Sequence, residues 1–321
     1  MARKKAGASA DAPVFFRTGA LRWGLCCQFL DSPIKFRTAT HRYCATLPAI
    51  ARAQYLSTAV LANATALADA IERCASLGIG AFRITSGMMP LVTHPASGYS
   101  IESLPDALSI LSELERARVL SRQLDIRLSF HPDQFVVLNS ESEAVVTSAL
   151  KEKEHHALIA NLIGAEALTL HAGGGVGGVE KALARLDKGV DRLSAAARGL
   201  LALENDDRTY GPAQLLPFCE AREIAFVYDV HHHRCNPDEM SVGEASERAA
   251  ATWNGREPWM HLSSPRDGWS SSNPRSHAEY IDAADLPEEW MGKRMTIDVE
   301  AKAKERAVLA IMEAVRSAQP T

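Results

Sequence analysis

A parallel (β/α)8 barrel, the TIM barrel, is the fold class this sequence predicts, and three observations predict it. Short β-rich runs alternate with alanine- and leucine-rich stretches of helical period along nearly the whole chain. That alternation implies parallel strands joined by right-handed crossovers. Eight such units fit within about 300 residues, as a closed barrel requires. Metal-capable residues also recur at the ends of the runs, and a barrel brings those ends together on one face. An open doubly wound sheet is the main rival, but its dinucleotide loop is missing. The string HAGGGVGG at 171–178 does not match G-x-G-x-x-G from its first glycine pair, and it begins with a histidine.

In chain order, strands are expected at 21–27, 81–85, 126–130, 167–170, 200–203, 224–228, 259–262 and 295–299. Each is a short β-rich run that ends in a polar or glycine-containing loop. Helices are expected near 57–77, 105–123, 141–164, 179–199, 211–222, 243–254 and 302–317. The last reads KAKERAVLAIMEAVRS, with apolar residues at helical spacing. The connection after the first strand is long, with an irregular segment at 28–56, and long loops at a barrel mouth are usually functional. Residues 22–52 hold Arg22, Lys35, Arg37, Arg42 and Arg52 against a single acid, Asp31. This is a local basic patch in a chain of net charge −4.

The composition, 46% hydrophobic and 23% charged, is that of a soluble globular protein. No window approaches the ~18 uncharged apolar residues of a membrane span. Residues 1–20 start basic but lack an apolar core, so they read as a flexible tail ahead of one domain at 21–321, with no secretory signal. Six cysteines (26, 27, 44, 74, 219 and 235) have no CxxC spacing and read as free thiols of a reducing, cytoplasmic compartment. The acidic balance excludes a globally basic nucleic-acid coat, though not a local basic groove.

The strand ends carry the chemistry. His131, His171, Glu204 and Asp229 follow or close the third to sixth runs. His261 lies in the seventh, and Glu300 follows the eighth. His94 follows the second run after a loop, and His277 lies beyond the seventh. His231, His232 and His233 follow Asp229; one of them is expected as a ligand and the others as orienting neighbours. Chance would scatter eleven histidines over both barrel ends. His41, His155 and His156 do fall away from strand ends and read as structural. Carboxylates gathered without cations between them would repel, and divalent ions would cancel that repulsion. The nitrogen and oxygen donors suit manganese, zinc or iron better than calcium or magnesium. Nine ligands exceed the needs of one ion, so two or three are expected, with a carboxylate such as Glu204 bridging. Such a cluster serves phosphoester hydrolysis or sugar isomerisation equally well.

Six strings separate these chemistries: FRTAT (36–40), FHPDQFVVLNS (130–140), LENDD (203–207), VYDVHHHRCNP (228–237), HLSSPRDGW (261–269) and DVEAKAKE (298–305). Together, in order and spacing over about 21–317, they closely resemble the ultraviolet-damage endonuclease (UvdE/UvsE) family. The resemblance implies a TIM barrel related to endonuclease IV. It also implies nicking of double-stranded DNA on the 5′ side of cyclobutane pyrimidine dimers and 6-4 photoproducts, with up to three ions, commonly manganese. By motif the metal ligands are His131, His171, Glu204, Asp229, His232, His261, His277 and Glu300, with His94 in the same pocket. Glu204, Asp229 and Glu300 are the carboxylates expected to carry catalysis. Gln134 matches a glutamine that probes the damaged base pair. Lys35, Arg37, Arg42, Arg266 and Arg275 are expected to grip phosphates.

Two positions depart from the family pattern. Leu25 stands where the family often has a tyrosine, so an apolar wedge without a hydrogen bond is expected there. Trp259 stands where many members have a lysine beside the metals. The rival readings are a xylose-isomerase-like sugar isomerase or epimerase, which needs no basic rim, and a non-catalytic damage binder, which needs no ligand ring. A monomer is expected, because a wide face must meet duplex DNA.

Overall fold

The computed structural model describes residues 21–132 and 136–318. The expected tail and Gln134 lie outside the described residues. Eight strands close a barrel in sequence order, all parallel. They are β1 (Leu21–Cys26), β2 (Ala81–Ile84), β3 (Arg127–Phe130), β4 (Ala167–His171), β5 (Leu201–Glu204), β6 (Ala225–Asp229), β7 (Trp259–Leu262) and β8 (Met295–Val299). The predicted barrel is borne out, and the seventh and eighth strands have the expected bounds.

The helices are α1 (His41–Cys44), α2 (Ala49–Ser76), α3 (Ala107–Gln123), α4 (Glu143–Ile163), α5 (Val179–Asp191), α6 (Ala195–Leu200), α7 (Pro212–Ala221), α8 (Val230–Cys235), α9 (Val242–Ala251) and α10 (Glu305–Ala318). The short α1 and α8 were not expected, and two of the expected helices differ for local reasons. α2 starts directly after Pro48, so part of the expected irregular segment is helical. The expected helix at 179–199 breaks after Asp191, and Ser194 restarts it as a cap that accepts from the Ala197 N–H at 3.1 Å.

Side chains alternate between the two faces of each strand, and the barrel uses the faces differently. Leu25, Phe82, Leu128, Leu168, Leu203 and Ile297 point outward into the layer between strands and helices, where they form the main core. The inward face has a short waist of Ala81, Ala167, Ala202, Ala225, Val227 and Trp259, with charge above and below. Leu25 is therefore a core residue, fully buried under the helices. The expectation that it wedges into DNA is corrected by the strand's alternation: its neighbours Gly24 and Cys26 hold the inward positions.

The lower end is a buried ion network. Glu257 accepts from Arg22 Nε at 2.9 Å and Thr296 Oγ1 at 2.7 Å. Arg127 lies 3.5 Å from the same carboxylate and donates to Glu166 and to Thr296 Oγ1. Its guanidinium covers the Trp259 ring at 4.1 Å, a cation–π contact in a desolvated site. Arg22, expected in the basic rim, thus belongs to the opposite pole. Removing a buried carboxylate strands its cations. Glu257→Ala is expected to lower the unfolding free energy by about 3 kcal/mol in a urea titration, while Glu257→Gln, which keeps the acceptor, costs less.

Candidate metal centre

Strand register assembles the site. The pairs His171–Glu204 (β4–β5), Asp229–His261 (β6–β7) and His261–Asp298 (β7–β8) place inward residues of neighbouring strands in one layer. Asp229 is also the N-cap of α8, accepting from the His232 N–H at 2.7 Å. That cap turns the HHH string so that His232 faces the centre.

Glu204, 1% exposed, lies at the middle. Its Oε2 is 2.6 Å from His131 Nε2 and 3.9 Å from His171 Nε2. Its Oε1 is 3.1 Å from His261 Nδ1 and 3.3 Å from His232 Nδ1. The His261 nitrogen also lies 3.4 Å from Glu300 Oε1 and 3.9 Å from Asp229 Oδ2. Glu300 Oε2 faces His277 Nδ1 at 3.6 Å. Three groups bring possible ligand atoms close enough to share an ion: His131, His171 and Glu204; Glu204, Asp229 and His232; and Asp229, His261 and Glu300. Of these, His131, His171, Glu204, His232 and Glu300 line a cavity of about 330 Å³ together with Cys27 and Arg83.

The donor set fits divalent cations. Among the described residues, His171 Nδ1 and Asp229 Oδ2 are buried without a hydrogen-bond partner, and such atoms are costly unless something completes them. Burial pushes the Glu204 carboxyl up, but His261, His171 and His131 outweigh it and hold it well below the usual carboxylate range. Glu300 is likewise held low against its burial, chiefly by Arg83. Burial also pushes His261 down, yet the Glu204 carboxylate raises it to about 9. His232 is raised against burial by Asp229 and Glu204, whereas burial lowers His171.

The structure sorts the remaining expected residues. His94 stands outside the three groups: its ring stacks on His41 at 4.3 Å, and its Nδ1 accepts from the Ala96 and Ser97 N–H groups. That pair also gives His41 a partner that sequence reading did not see. Lys35, Arg37 and Arg42 are exposed, with Lys35 Nζ donating to the Phe29 carbonyl. Arg266 and Arg275 are exposed and face Asp267 and Asp207. Sequence reading missed Arg83, whose Nη1 donates to Glu300 Oε1 at 2.5 Å. It expected no cation among the carboxylates, but the AFRI strand turns this arginine inward. The β-alternation of that run sets Arg83 on the face opposite Phe82 and Ile84, but does not say which face is inward. It also missed Asp298, fully buried beside His261, although the DVE string marks two inward carboxyls.

Comparisons with known proteins agree with the barrel fold. The family model described as UV-endonuclease UvdE matches residues 21–320. A UV DNA damage endonuclease of Bacillus velezensis is 32% identical over 312 residues, covering 94% of each chain. The crystal structure of SacUVDE superposes with a TM-score of 0.79 at 24% identity, covering 93% of this chain and 99% of that one. Endonuclease IV from Thermus thermophilus gives 0.58 at 16% identity, covering 92% and 100%.

In metal-free protein, an imidazole whose folded pKa exceeds its unfolded value stabilises the fold fully below about pH 6.5. For His261 that contribution is lost as pH rises through about 9, and His232 acts in the same direction. Urea unfolding of chelator-treated protein is therefore expected to show stability falling between about pH 6.5 and 9. His261→Gln should make that fall shallower; an unchanged slope removes His261 from the linkage.

Proposed function

The chain belongs to the UV-endonuclease UvdE family, and from that premise we propose that it is a DNA repair endonuclease. Its substrate is double-stranded DNA carrying ultraviolet photoproducts, cyclobutane pyrimidine dimers and 6-4 photoproducts, nicked on the 5′ side. The observation that carries the reading is Glu204, with different imidazoles on its two oxygens. A carboxylate so placed can be shared between neighbouring cations.

Two or three ions, manganese in our reading with zinc as the alternative, would be held by His131, His171, Glu204, Asp229, His232, His261, His277 and Glu300. Such ions supply Lewis-acid activation of water and of the phosphodiester. The side chains do the rest. Glu204, Asp229 and Glu300 set a ring of negative charge that selects cations. Arg83 holds one Glu300 oxygen and leaves the other toward His277. Asn205 braces the ring, donating to the Asp229 carbonyl and accepting from its N–H.

On the rim, Lys35, Arg37 and Arg42 would contact phosphates, joined by Arg266 and Arg275 once they exchange Asp267 and Asp207 for DNA. Exposed pairs of this kind are weak. Phosphate contacts set register and affinity, so damage would be read as deformability. A lesion that weakens stacking lowers the cost of extruding nucleotides by up to a few kcal/mol, and Gln134 would occupy the gap. The enzyme is read as a monomer working in the cytoplasm. No helix among the described residues is long and apolar enough to cross a membrane.

Glu204→Gln is expected to abolish nicking of ultraviolet-irradiated supercoiled plasmid in manganese while the circular dichroism spectrum stays native. Full nicking by that variant would remove Glu204 from the centre. DNA affinity should fall steeply with salt, and each of Lys35→Ala, Arg37→Ala and Arg42→Ala should lessen the slope of log K against log salt by about 1. Slopes equal to wild type would place the phosphate contacts elsewhere.

A further inference from the structure

His261 has two ring nitrogens, and only one can serve a cation. Nδ1 looks into the space where Glu204 Oε1, Glu300 Oε1 and Asp229 Oδ2 converge at 3.1, 3.4 and 3.9 Å. Nε2 looks the other way, toward Asp298 Oδ2 at 3.8 Å, and among the described residues it makes no hydrogen bond. Asp298 is fully buried, and neither of its oxygens has a hydrogen-bond partner there. The two residues are register partners across β7 and β8. On the other side, Gly24 is the register partner of Asp298 on β1. A Cβ at Gly24 would lie 2.1 Å from Asp298 Oδ1, so the missing side chain makes the room the carboxylate occupies. Trp259 Nε1, a second buried donor without a hydrogen bond among the described residues, lies two positions earlier on the same inward face and favours the charged form of Asp298.

We propose that Asp298 is a positioning residue for the centre: it accepts the His261 Nε2–H and so leaves Nδ1 for the cation. Histidines that hold metals usually give their other ring N–H to such an acceptor, which fixes the tautomer and the ring's direction. An imidazole has one N–H when neutral, so whichever nitrogen keeps it decides which one is open. Asp298 presents acceptor oxygens on the Nε2 side of the ring, and that position keeps the proton on Nε2. Gly24 belongs to the same device, because any larger residue would push the carboxylate off this line.

The inference rests on the metal-centre reading, and the test separates the two. Manganese alone is titrated calorimetrically into chelator-stripped full-length wild type and Asp298→Asn. The amide is the same size, but its NH2 can donate to Nε2 and force the proton onto Nδ1. The variant is expected to bind manganese about 10- to 100-fold more weakly, with metal-free unfolding as cooperative as in wild type. Affinity within about twofold of wild type overturns the proposal. Wild type that takes up no manganese overturns the metal-centre reading instead. Should Asp298→Asn not fold, a crystal structure of manganese-loaded wild type decides. An ion on Nδ1 with Nε2 within about 3.2 Å of an Asp298 oxygen supports the proposal, and any other arrangement overturns it.

Discussion

A buried carboxylate between imidazoles is the interaction on which the upper half of this barrel depends. Glu204 is almost wholly removed from water, yet its charge is favoured because His131 and His171 face one oxygen and His232 and His261 the other. Burial alone would neutralise it. Its neighbours keep it ionised, and it in turn keeps His261 basic. Asp229 and Glu300 add negative charge that the imidazoles do not fully offset, and Arg83 supplies part of the balance from within the ring. What remains is a set of buried polar atoms, His171 Nδ1 and Asp229 Oδ2 among them, that lack hydrogen-bond partners among the described residues.

The two poles of the barrel handle buried charge in opposite ways. Below the alanine waist, Arg22, Arg127, Glu257 and Thr296 pair closely, and Trp259 is covered by a guanidinium. That pole is electrostatically closed. Above the waist, buried polar atoms of His171, Asp229, His261 and Asp298 lack partners among the described residues. Unsatisfied groups inside a protein are tolerated where function requires them. This asymmetry agrees with the division in barrel enzymes between a stability face and a catalytic face.

The departures at Leu25 and Trp259 also become legible in three dimensions. Leu25 contributes to the strand–helix core, so its substitution changes packing rather than a DNA contact. Trp259 fills the waist under His261 and stacks on Arg127, so an aromatic plug here links the closed pole to the open one.

The sequence by itself determined the number and order of strands, the fold class, and most of the ring. Period-two alternation and strand-end polar residues are local signals, and His131, His171, Glu204, Asp229, His261 and Glu300 all lie within one residue of a strand's last position. It could not decide which face of each strand turns inward, because alternation separates two faces without naming them. Only closure of the barrel did that, sending Leu25 to the core and Arg83 to the ring of candidate ligands. Nor could it pair residues distant in sequence. His94 stacks on His41 and Arg22 reaches Glu257 because the fold puts loops and strand starts beside each other. Which nitrogen of His261 meets Glu204, and that Gly24 clears space for Asp298, are matters of register and of a few ångströms, settled when eight strands share one axis.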